Sequence, residues 1–242
     1  MQCIIANWKA HKSTSAVAGW FRDFREQLNQ LRPESAAQVS VARKVVIAPA
    51  YFLLSAVGTE IEQTKALVAE RLHAELSLGV QDVSHLGAGS YTGAVAAVHL
   101  AGIGVTHAIV GHSERRRYFR ETSQDVVGKV DQTLDAGITP VVCVDSAYSQ
   151  EQITMLQRDW LNRLLFAYEP LAAIGSGKNA SINQVKDEVS KIKALAGSVP
   201  VLYGGSMNDQ NVAEYLLVTD GGLVGTASVE GKSFAELLVA AW

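Results

Sequence analysis

The run Leu164-Leu165-Phe166-Ala167-Tyr168 leads directly into Glu169-Pro170 and then into Leu171-Ala172-Ala173-Ile174-Gly175-Ser176-Gly177-Lys178. An apolar stretch this short, with no polar alternation, fits a strand buried on both faces, the pattern of a parallel sheet. Proline cannot donate to the ladder, so the strand stops there and Glu169 projects from its carboxyl end. The small residues and two glycines that follow suit a lid that offers backbone N–H groups to an anion. Read alone, the stretch is equally a polar strand end followed by a flexible loop. The rest of the chain decides between the two.

Outward from this strand, in both directions, short apolar runs alternate with amphipathic stretches. Strands are expected at Cys3–Ala6, Lys44–Ala48, Leu78–Gln81, Ala108–Val110, Thr139–Val144, Leu164–Tyr168, Val199–Tyr203 and Gly222–Val224. The helical stretches between them are Thr14–Leu31, Leu53–Ala74, Gly93–Ala101, Ser123–Ala136, Gln150–Trp160, Ile182–Ala196, Asn208–Leu217 and Ser233–Ala240. Eight βα units with no composition break or long linker predict an α/β protein, a single closed (β/α)₈ barrel domain over residues 1–242. Between Ser35 and Ala74 the chain carries more residues than one barrel unit needs.

Composition removes several function classes. The net charge is −3 and the charges are dispersed, so there is no basic face for nucleic acid and no polybasic patch for a membrane surface. A small-molecule partner is expected. Cys3 and Cys143 lie far apart in apolar runs, which reads as reduced, buried thiols in a cytoplasmic protein. Neither a signal-peptide core, nor a membrane-spanning run, nor a metal-ligand spacing is found.

In a (β/α)₈ barrel the carboxyl ends of the strands carry the chemistry. Here those ends read Asn7-Trp8-Lys9, Gln81-Asp82, Gly111-His112-Ser113-Glu114-Arg115, Cys143-Val144-Asp145-Ser146, Glu169, Tyr203-Gly204-Gly205-Ser206 and Gly225-Thr226-Ala227-Ser228. Lys9 supplies a positive charge for an anionic substrate or a developing oxyanion, with Asn7 to orient it; alone it reads as a solvated lysine. His112 stands at a strand end and at or near a helix start, where the dipole disfavours imidazolium. A neutral ring can donate to a carbonyl, although a hydrogen-bonded core histidine fits the same position. The two late glycine turns follow the seventh and eighth strands, where such barrels often bind phosphate.

These motifs, in this order, resemble the triosephosphate isomerase family nearly end to end: Asn7-Trp8-Lys9, Gly111 to Arg116, Tyr168-Glu169-Pro170, Ala173 to Lys178, Tyr203 to Ser206 and Leu223 to Ser228. A neutral histidine paired with a glutamate base is a known pattern of that family. The resemblance implies that Glu169 moves a proton between two carbons of a triose phosphate through an enediolate. It also implies that His112 polarises the oxygens, that Lys9 and Asn7 stabilise the oxyanion, and that Glu114 stands behind Lys9. Backbone groups of Gly175, Gly225 and Thr226, with Ser206, would hold the phosphate, and Pro170 to Lys178 would form the lid. No metal or organic cofactor is implied, and the reaction would belong to glycolysis and gluconeogenesis. The loop Gly87 to Gly93 resembles the one that enters a neighbouring subunit, with Thr92 at its tip, which implies a homodimer.

The chain departs from the family pattern in places. Ala172 replaces the usual lid-hinge tryptophan, and Val144-Asp145-Ser146 replaces Ile-Gly-Glu. Thr226 replaces a phosphate-turn glycine, Ala94 an interface glutamate, and Asp82 an asparagine. The segment Ser146–Asn162 is short and Gly58–Ser77 long for the family. The proton-transfer residues are all kept. The alternatives are an isomerase of a related four-carbon sugar phosphate, or a catalytically weak sugar-phosphate-binding protein.

Overall fold

The computed structural model describes residues 1–31, 41–171 and 179–242. Eight parallel strands close into a barrel in sequence order: β1 (Gln2–Asn7), β2 (Arg43–Ala48), β3 (Ala74–Val80), β4 (Val105–Val110), β5 (Thr139–Val144), β6 (Leu165–Tyr168), β7 (Val201–Tyr203) and β8 (Gly221–Val224). The helices around it are α1 (Thr14–Asn29), α2 (Leu54–Leu72), α3 (Ala97–Gly102), α4 (Ser113–Phe119), α5 (Ser123–Asp135), α6 (Ser149–Met155), α7 (Ile182–Ala196), α8 (Val212–Leu216) and α9 (Gly231–Ala241). The fold is the expected (β/α)₈ barrel.

The strands read as continuous apolar runs because each buries both faces. Cys3, Ile5, Val46, Ala48, Ile109, Val141, Cys143, Leu165, Ala167, Leu202 and Leu223 fill the barrel. Their neighbours Ile4, Ala6, Val45, Ile47, Val110, Val142 and Phe166 pack outward against the helices. Both cysteines are buried and free.

Several element boundaries differ from the sequence expectation. The helix expected through Ala74 ends at Leu72, where His73 turns left-handed (φ 48°) and converts the chain to strand, so β3 begins four residues earlier than Leu78. Ala96 is extended and Ser84 N bonds Val95 O, so α3 starts at Ala97 and not at Gly93. The stretch 150–160 divides at Leu156, which is extended, and resumes as a 3₁₀ segment over Arg158–Arg163. Asn208 Oδ1 accepts from the N–H groups of Gln210 and Asn211, a local turn that delays α8 to Val212. The helix start expected at His112 is α4, whose extent no periodic apolar signal marks because it is short, polar and without a buried residue. Thr139–Val144 and Ile182–Ala196 have the expected bounds, the latter with a Ser181/Gln184 capping box.

An aromatic stack fixes the site's first wall to its last. Trp8 packs on Trp20 at 4.9 Å, Trp20 on Phe24 at 5.1 Å, and Phe24 on Phe234 of α9 at 6.0 Å. Trp20 Nε1 donates to Ser228 O at 3.0 Å. The residue before Lys9 and the turn after β8 are thereby held by one side chain.

His107 lies inside the lower barrel, 5% exposed. Thr106 Oγ1 donates its proton to Leu78 O, so the 2.8 Å contact with His107 Nδ1 is a bond donated by the ring. Burial, and then the Lys44 charge, lower the His107 pKa from 6.5 to about 4. The unfolded chain therefore takes up this proton below pH 6.5 and the folded chain only near pH 4, so stability falls as pH drops through that window. The loss is about 3 kcal/mol. In urea titrations, His107→Asn should remove most of that slope; an unchanged slope would contradict the assignment.

Candidate active site

The carboxyl ends of β1, β4, β6, β7 and β8 enclose a cavity of about 440 Å³ lined by Asn7, Lys9, His112, Glu169, Gly204, Gly205, Ser206, Gly225 and Thr226. Asn7, Lys9, His112, Glu169, Ser206, Gly225 and Thr226 therefore converge, with Glu114 bound to Lys9 behind them, while Pro170 and Leu171 border a separate cavity with Ser146 and Tyr168. Gly175 and the lid residues Ala172 to Lys178 lie outside the described residues. A larger groove of about 900 Å³ between α2 and the starts of β3 and β4 has mainly apolar walls (Leu54, Ile61, Leu76, Leu78, Ile103) and lies away from the strand ends. Chemistry assigns the site to the smaller cavity.

Glu169 follows β6 and is fully buried. Its carboxylate accepts from Ser113 N at 2.9 Å and Ser113 Oγ at 3.0 Å, and meets His112 Nε2 at 3.0 Å. Burial alone raises a carboxyl's pKa. Here the His112 hydrogen bond, the Ser113 N–H and the Arg116 guanidinium outweigh it and hold Glu169 below its ordinary value. These donors favour the ionised acid. In the sequence Ser113 is only one member of the motif; its contact with Glu169 follows from a backbone turn that no spacing announces.

His112 is the N-cap of α4, and its Nδ1 accepts from Glu114 N at 3.2 Å. An accepting Nδ1 carries no proton, so the neutral ring holds its hydrogen on Nε2, aimed at Glu169. The first turn of α4 thereby fixes the orientation of the ring.

Lys9 adopts a left-handed backbone (φ 49°), a strained state that costs about 1–3 kcal/mol and needs external support. Asn7 Oδ1 accepts from Lys9 N at 3.2 Å, and Gln81 Nε2 donates to Lys9 O at 3.0 Å and to Ala48 O at 2.9 Å. Lys9 Nζ pairs with Glu114 at 2.6 Å. Gly225 leaves room for this side chain, since a Cβ there would press on Lys9 Cε at 3.3 Å.

The turn after β8 is a 3₁₀ segment, Thr226–Ser228. Thr226 has no positive φ, so its replacement of glycine carries no backbone strain. Asn179, Met207 and Asn208 also line the cavity and had no sequence signal. Ser146, where the family has glutamate, meets the Tyr168 hydroxyl at 3.0 Å.

Comparison with known proteins agrees with this geometry. The family model described as triosephosphate isomerase matches residues 2–241. The chain belongs to the triosephosphate isomerase family. It is 36% identical to the triosephosphate isomerase of Thermus thermophilus over 97% of this chain and 96% of that protein. The corresponding protein of Polynucleobacter asymbioticus is 36% identical over 96% of both chains. That of Mycoplasma genitalium is 33% identical over 97% of this chain and 96% of its own. Among the described residues, no helix of this family member is long and apolar enough to cross a membrane, and no cluster of His, Cys, Asp and Glu could hold a metal.

Proposed function

We propose that this chain interconverts dihydroxyacetone phosphate and D-glyceraldehyde 3-phosphate, an intramolecular aldose–ketose isomerisation within glycolysis and gluconeogenesis. One observation carries the reading: a buried, ionised Glu169 and the N–H of a neutral His112 share a cavity with the Lys9 cation and the two turns after β7 and β8. A bare binding module needs the turns but no base, and family membership does not favour a four-carbon substrate.

In this mechanism Glu169 leaves Ser113 and takes a proton from the carbon next to the carbonyl. His112 Nε2–H bonds the carbonyl oxygen, and Lys9, braced by Asn7 and Glu114, stabilises the developing negative oxygen. His112 passes the hydroxyl proton from one oxygen to the other, and returning the abstracted proton to the neighbouring carbon completes the isomerisation. The phosphate is held by Ser206 and the backbone of Gly225, Thr226 and Gly175. The lid from Pro170 to Lys178 excludes water, which protects the enediolate from losing its phosphate.

A homodimer is part of the proposal. Tyr91 and Thr92 are exposed, as are Tyr51, Phe52, Tyr118 and Phe119. Tyr51 bonds Asp82 O at 2.6 Å, Arg115 pairs with Asp82 at 2.9 Å, and its guanidinium lies 4.6 Å over Phe119, so several of these rings form one patch beside the site. Exposed aromatic surface of this kind suits a second copy. We also infer a cytoplasmic setting, which the free buried thiols fit.

A coupled assay of glyceraldehyde 3-phosphate isomerisation over a dilution series tests both points. Turnover that falls on dilution is expected. Absence of turnover at every concentration would remove the isomerase reading, and dilution-independent turnover the dimer.

A further inference from the structure

Asp145 follows β5 and is 6% exposed. Its Oδ1 accepts from Ala147 N and Tyr148 N, both at 3.0 Å, and its Oδ2 binds Arg116 Nη2 at 2.6 Å. Arg116 Nη1 donates to Gly111 O and, at 3.0 Å, to Cys143 O, while the guanidinium lies 4.1 Å over the Tyr148 ring. These carbonyls end β4 and β5. Gly111 immediately precedes His112, and Glu169 N donates to Val144 O, the residue after Cys143, at 2.7 Å. One guanidinium thus fastens the two strand ends that cradle the base.

Resting on the reading of Glu169 as the base, we propose that Asp145 is a positioning residue for it, acting through Arg116. Asp145 holds the guanidinium in place and cancels most of its charge. The groups facing Glu169 are His112, Ser113 and Arg116 from the start of α4 and Cys143 from β5; Gly204 of the β7 turn brings no charge. On the Nδ1 side of His112, Lys9 and Glu114 neutralise each other. Among the described residues, the Arg116 charge that acts on the base is not balanced at the cavity, and Asp145 balances it from behind. With Asp145 neutral, the uncompensated charge would hold the carboxylate ionised and blunt its attack on a carbon acid. A carboxylate stands here where the family pattern described above has a glycine.

The test is the pH profile of kcat for Asp145→Asn, which keeps the Oδ1 acceptor for Ala147 and Tyr148. A fall in kcat of about tenfold is expected, with KM within about twofold and the acid limb displaced to lower pH by about half a unit. In the double variant Arg116→Gln/Asp145→Asn the limb should return toward the wild-type position, although the strand-end clamp stays weakened. Asp145→Ser serves if the asparagine variant does not fold, with the same expected limb. Loss of thermal stability with unchanged kcat and limb would overturn the proposal, as would a limb that stays displaced in the double variant. Glu169→Gln in the same assay separates the two levels: if it keeps turnover, the base assignment itself fails, whatever Asp145 does.

Discussion

Glu169→Gln should lower kcat by about 10²–10⁴-fold, the range for removal of a general base. Binding of a phosphorylated transition-state analogue should suffer much less through the phosphate contacts, which lie in the turns after β7 and β8. The geometry adds a second consequence. Three donors, Ser113 N–H, Ser113 O–H and His112 Nε2–H, converge on this carboxylate. A glutamine amide turns its own N–H groups toward at least one of them, leaving a buried donor unpaired at about 1–3 kcal/mol. Glu169→Asp keeps both acceptor oxygens but withdraws them by one methylene, so it should fold more stably than the glutamine variant and still turn over slowly. Steady-state kinetics and urea unfolding on the two variants together check this. Full turnover by the glutamine variant would remove Glu169 from the chemistry.

The largest effect on stability is expected at Gly221, where β8 closes against β1. Its φ of 149° is one that side chains rarely adopt, and a Cβ there would overlap the backbone of Cys3. Cys3 N bonds Asp220 O at 3.0 Å and Cys3 pairs with Gly221 in register, so the obstacle is backbone in the strand pair that seals the barrel. Backbone cannot step aside as a side-chain tip does. Gly221→Ala should cost at least about 4 kcal/mol or prevent soluble expression. Gly19, in α1 with nothing within 4 Å of a built Cβ, is the control, and its alanine variant should gain about 0.5–1 kcal/mol. Equal stability of the two alanine variants by urea titration would contradict the closure geometry.

The barrel was legible because its signal is redundant. Each strand of a closed parallel barrel buries both faces, and each helix buries one, so the alternation repeats eight times and single errors do not change the count. What escaped was local. The length of α4 is unmarked because it has no apolar stripe, and β3 begins after a left-handed histidine, His73, that no periodicity marks. The break at the extended Leu156 likewise has no proline or glycine to mark it.

The proposed catalytic residues were legible for a different reason: Asn7, Lys9, His112 and Glu169 sit at or just past strand ends, which share one rim in such a barrel, with Glu114 in the first turn of α4 behind them. Sequence by itself determined the fold, the reaction class and the identity of those side chains, since each depends on residue type and order along the chain. Tertiary structure alone decided which nitrogen of His112 carries the proton, that Ser113 holds the base, that Gln81 supports the strained Lys9, and that Asp145 faces Arg116. These depend on distances of about 3 Å between residues tens of positions apart, and hydrogen-bond energies vary over tenths of an ångström that no spacing in a sequence encodes.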